Sequence, residues 1–70
     1  MSELKILVAT VPDRDEPVTE IWCGSELWAE LRAENGRQII EIYPRSDDDR
    51  WSFDLDLLLD ALRQASTRIG

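Results

Sequence analysis

Apolar and polar residues alternate along positions 27–33: Leu27, Ala29, Leu31 and Ala33 on one side, Trp28, Glu30 and Arg32 on the other. A period of two over this length predicts a half-buried β-strand. Asn35-Gly36 follows, and this pair favours a two-residue hairpin because a type I′ turn needs positive φ at both central positions. Residues 37–43 then predict the returning strand, closed by Pro44. Upstream, 4–11 is rich in β-branched residues and predicts a first strand ending at Pro12, and 18–23 predicts a second ending at Gly24-Ser25. Between them, Pro12-Asp13-Arg14-Asp15-Glu16-Pro17 is charged and bracketed by prolines, which suits a surface loop.

After Trp51 the period changes. Asp54 is a good N-cap, and Phe53 before it can pack on Leu58 as a hydrophobic staple. Leu55, Leu58, Leu59, Leu62, Ala65 and Ile69 follow the spacing of one buried helical stripe. Asp54 and Asp56 sit at the positive end of the helix dipole, Arg63 and Arg68 near its negative end. The expectation is one α+β domain over 1–70: an antiparallel four-stranded β-meander with a C-terminal α-helix packed on one face (ββββα). The pattern leaves the pairing of the first strand open.

Counting outward from Asn35-Gly36 sets a register. Glu34 faces Arg37, Arg32 faces Ile39, Leu31 faces Ile40, Glu30 faces Glu41, Ala29 faces Ile42 and Trp28 faces Tyr43. Leu31, Ile40, Ala29 and Ile42 share the face expected under the helix. At Gly24 an even, two-residue loop would place Glu20 opposite Ala29, beneath the helix, and burying an unpaired carboxylate is costly. An odd loop, Gly24-Ser25-Glu26, or an equivalent bulge, pairs Cys23 with Leu27, Ile21 with Ala29 and Thr19 with Leu31, all inward. The opposite face then carries an aromatic row, Trp22, Trp28 and Tyr43, beside an acidic row, Glu20, Glu30 and Glu41. Like charges directly opposite on a sheet destabilise it by a few tenths of a kcal/mol per pair, so the row calls for a cation such as Lys5 or Arg32.

Composition narrows the chemistry. Among 70 residues, 15 acidic against 8 basic side chains give a net charge of −7, which argues against nucleic acid or anionic membrane as a ligand. Single-strand binders set stacking rings in a basic groove, whereas here the rings sit beside glutamates. One cysteine, Cys23, and no histidine exclude an internal disulfide and the common zinc constellations. Asp47-Asp48-Asp49 lacks the alternate spacing, glycine and closing glutamate of a calcium loop. No run approaches the length of a membrane span, and the lone cysteine with no signal peptide points to the cytoplasm. No catalytic, cofactor-binding or metal residue is assigned, and no cofactor is expected.

Taken together, Asp15-Glu16-Pro17-Val18-Thr19-Glu20-Ile21-Trp22, Ala29-Glu30, Ile40-Glu41-Ile42-Tyr43-Pro44 and Trp51-Ser52-Phe53-Asp54-Leu55 resemble a group of short uncharacterised bacterial proteins of four strands followed by one helix. The resemblance implies the fold and brings no activity with it. From the residues themselves, the expected function is a non-enzymatic interaction module. Trp22, Trp28, Tyr43, Glu20, Glu30 and Glu41 would form a face for a homodimer or a basic protein partner, because Trp and Tyr are enriched at binding hot spots. One alternative is an immunity- or antitoxin-type inhibitor whose carboxylates occupy the phosphate groove of a basic enzyme. Another is a small enzyme in which Glu30 and Glu41 share a proton; an open sheet that excludes no water argues against it.

Overall fold

A computed structural model of the chain describes residues 4–10 and 17–69. Strands β1 (Leu4–Ala9), β2 (Val18–Cys23), β3 (Glu26–Glu34) and β4 (Arg37–Ile42) precede one helix, α1 (Leu55–Ile69). The strands form one antiparallel sheet in the order β1-β2-β3-β4. This is a meander, with β1 at the edge beside β2. The loop expected at 12–17 lies outside the described residues except for Pro17, which is exposed.

The β3–β4 hairpin follows the expected register from Glu34↔Arg37 to Ala29↔Ile42. Its turn has φ 52° at Asn35 and 78° at Gly36, as a type I′ turn demands. The β2–β3 hairpin reaches the expected pairs Thr19↔Leu31 and Ile21↔Ala29 by the bulge rather than the odd loop. Cys23 pairs with Glu26 across a two-residue Gly24-Ser25 turn, Trp22 pairs with Leu27, and the register shifts between Ile21 and Trp22. Gly24, with φ 62°, supplies the positive first position of a type II′ turn. Trp28 is the extra residue.

That bulge corrects the placement of Trp28. In a strictly alternating strand its indole would lie on the open face with Trp22 and Tyr43. Here it is 5% exposed and belongs to the core with Ile21, Ala29, Leu31 and Ala65. Phe53 meets it edge-on, ring centroids 5.1 Å apart, and Trp51 stacks on Phe53 at 5.8 Å. A bulge re-aims a side chain by breaking the alternation of faces at one residue, and a tryptophan aimed at solvent gains less than one buried against a second aromatic ring.

The helix starts as expected. The Asp54 carboxylate accepts from the Leu57 amide at 3.2 Å, and the Asp54 carbonyl accepts from Leu58. Its stripe is narrower than expected. Ala61 and Ala65 are buried, with Leu58 and Leu62 packed against the core, whereas Leu55 and Leu59 are 66% and 46% exposed. The reason is where α1 lies: it packs across β1, β2 and β3. Ile40 and Ile42 of β4, on the same face, are therefore left open.

Candidate functional site

The open face is built by the register. Glu20 lies opposite Glu30, and Glu30 opposite Glu41, so three carboxylates stand in a row across β2, β3 and β4. Leu7 of β1 continues the row opposite Glu20 and is exposed. The Trp22 indole donates to the Glu20 carboxylate at 3.0 Å, a bond between residues two apart on one face of one strand. Lys5 lies opposite Trp22 on β1, and Leu27 opposite it on β3. Leu27 thus takes the place expected for Trp28.

Arg32 supplies the cation the row needs. Its guanidinium bonds to Glu41 across the hairpin and to Glu34 at 3.2 Å along its own strand. Burial works against its charge, and the bonds to Glu34 and Glu41 outweigh that, so its pKa is raised. Glu20 and Glu30 bond to no cation among the described residues.

Tyr43 reports on the same field. Its phenol titrates above the ordinary value of 10.0, first because burial penalises the phenolate and then because Glu30 and Glu41 repel it, against a smaller pull from Arg32. The rings of Trp22 and Tyr43 remain half-buried beside the carboxylates. The open face therefore joins Trp22, Tyr43, Glu20, Glu30 and Glu41, and excludes Trp28.

At the end of the sheet a second set of contacts fixes the chain from Tyr43 to the helix. The Trp51 indole donates to the Tyr43 carbonyl at 2.8 Å, and the Arg45 guanidinium lies 5.4 Å from the Trp51 ring centroid. The Glu26 carboxylate accepts from the Ser46 amide at 3.1 Å and from its hydroxyl, which hold Glu26 below the ordinary glutamate value. Asp47 accepts from Arg45 at 2.9 Å and from the Asp49 amide at 3.1 Å. These contacts are local and shape the loop. Among the described residues no group of three or more acidic or cysteine side chains is placed to hold a metal ion, and no described helix is long and apolar enough to cross a membrane.

The swap of Leu27 for Trp28 had a signal in the sequence. An even loop at Gly24 and an inward Ile21 are compatible only if one residue of β3 bulges. Comparison with protein-family models, with curated proteins and with solved structures returned no match.

Proposed function

We propose that the chain is a non-enzymatic interaction module whose helix-free face binds a protein surface rich in arginine or lysine. The observation that carries this reading is the row Glu20, Glu30 and Glu41, served by one bonded guanidinium and flanked by Trp22 and Tyr43. Neighbouring carboxylates repel, and a cationic partner relieves that repulsion on binding. The two rings offer apolar and cation–π contacts to the same partner. An overall charge of −7 adds long-range steering toward basic surfaces.

The probe is a short arginine- and lysine-rich peptide, titrated calorimetrically into the chain at low and at physiological salt. Binding should weaken steeply with salt, since surface charges more than about 8 Å apart are screened at 0.15 M. The triple variant Glu20→Gln, Glu30→Gln, Glu41→Gln should bind at least about tenfold more weakly, the loss of roughly 1.4 kcal/mol. Equal affinity of the triple variant and the parent would remove this face from the proposal.

A further inference from the structure

The edge of β4 carries a second surface, on the side the acidic row does not occupy. The Tyr43 amide donates to the Trp28 carbonyl at 2.8 Å. Along an antiparallel ladder, alternate residues turn their main-chain groups to the same neighbour. Arg37, Ile39, Glu41 and Tyr43 thus bond toward β3, and the amides and carbonyls of Gln38, Ile40 and Ile42 point out of the sheet. The side chains of those three lie on the helix side, where Ile40 and Ile42 are 40% and 59% exposed.

The helix borders this strip without closing it. Gln38 donates to the Ser66 carbonyl at 3.1 Å, and the Ser66 hydroxyl donates to the Gln38 side chain at 2.6 Å. Leu55, Leu59, Leu62 and Ser66 share one flank of α1 by their spacing. That flank therefore fronts β4. Leu62 and Ile40 line a recess of about 240 Å³ together with Leu31 and Ile39.

Edge strands are ordinarily defended by inward charges, proline or a bulge. At the other edge the Arg68 guanidinium reaches the Ile6 carbonyl of β1 at 3.5 Å. From Gln38 to Ile42, β4 has no proline, no register shift and no charge on its inward side.

We propose that the chain forms a two-fold homodimer by antiparallel pairing of β4 with β4 of a second copy, centred on Ile40. In this register Ile40 pairs with Ile40, and Gln38 with Ile42 in both directions, which satisfies every outward main-chain group of the three residues. Centring on Ile42 would set Ile40 against Pro44, which has no amide hydrogen. Centring on Gln38 would set Ile40 against the turn residue Gly36 and leave Ile42 unpaired. On the opposite face Glu41 meets Ile39 of the second copy and Arg37 meets Tyr43, so no two carboxylates stand directly opposite. The two Glu41 side chains are diagonal neighbours, each bonded to its own Arg32.

Ile40, Ile42, Leu55 and Leu59, 40%, 59%, 66% and 46% exposed, leave on the order of 400 Å² open per copy, the size of the largest apolar patch on an ordinary monomer, which is often functional. Two such patches fall below the roughly 1,200–2,000 Å² of a stable interface. The interface accordingly falls in the weak, transient class. Since both copies are acidic, added salt should tighten it.

Sedimentation velocity from a few micromolar to several hundred micromolar tests the dimer, and amide exchange by NMR tests the register. The expected result is a concentration-dependent dimer in which the Gln38, Ile40 and Ile42 amides gain protection while those of Arg37, Ile39 and Glu41 do not change. Ile42→Lys, at an exposed position, should keep the monomer's circular dichroism and raise the dissociation constant at least about tenfold; Ile40→Lys should do the same. The triple glutamine variant of the acidic row should still dimerise. A monomer throughout the range, protection gained at β1 instead, or an Ile42→Lys variant that dimerises like the parent would each overturn the proposal.

Discussion

Replacing Trp28 by alanine separates a bulged β3 from an alternating one. The indole is 5% exposed and meets Phe53 edge-on at 5.1 Å. Truncating a buried tryptophan costs about 3–5 kcal/mol, of which the aromatic pair contributes about 0.5–1.5. A domain of this size has roughly 4–10 kcal/mol of stability in all, so Trp28→Ala should sit at the edge of folding. Trp28→Phe retains a ring for Phe53 to meet and should cost about 1–2 kcal/mol. Trp22→Ala, on the open face, loses one hydrogen bond to Glu20 and half-buried packing, and should cost about 1 kcal/mol. Urea unfolding followed by far-ultraviolet circular dichroism measures all three. If Trp22→Ala proves more damaging than Trp28→Ala, the assignment of Trp28 to the core is wrong.

Three further outcomes are expected. Asp54→Ala removes the cap that accepts from Leu57 and should cost about 1 kcal/mol, a fall in Tm of roughly 4–8 °C; an unchanged Tm would show the cap to be idle. Tyr43 is the sole tyrosine, so its absorbance titration is unambiguous: the midpoint should lie above 10.0 and move down in Glu30→Gln. Because the folded state holds the phenol proton more tightly, this contribution to stability should be full below the ordinary value of 10.0. It should be lost as pH rises from there through the folded midpoint, the unfolded chain ionising first. Glu26 has the opposite sign, with a depressed value that gives stability above pH 4.5, lost as pH falls through the folded value. Ser46→Ala should bring its carboxyl titration, read by NMR, back toward 4.5, and no movement would refute the assigned bonds.

The strands, their order of pairing after β1, the Asn35-Gly36 turn and the start of the helix were all legible in the sequence, because each depends on residues close together in the chain. The acidic row was legible too: counting from Asn35-Gly36 sets Glu30 opposite Glu41, and the cost of burying an unpaired carboxylate sets Glu20 opposite Glu30. Trp28 was misplaced because alternation is a property of an unbulged ladder. Whether a strand bulges depends on what its side chain finds across the core, and Phe53 is distant in sequence. Leu55 and Leu59 were expected to be buried on helical period alone. The period identifies the apolar flank, but the helix's position over the sheet decides how much of that flank is covered, and here it stops short of β4.

The same bulge bears on the order in which the chain can assemble during synthesis. The β3–β4 hairpin can close as soon as Tyr43 has emerged, because its register is set by its own turn. The β2–β3 hairpin has a competing even alignment that buries Glu20, and the aromatic contact that rewards the bulged alignment is made by Phe53. A nascent chain halted before Phe53 would therefore hold one settled hairpin and one whose register is still in competition. The segment between the sheet and the helix, short as it is, completes the selection of a strand pairing made much earlier in the chain.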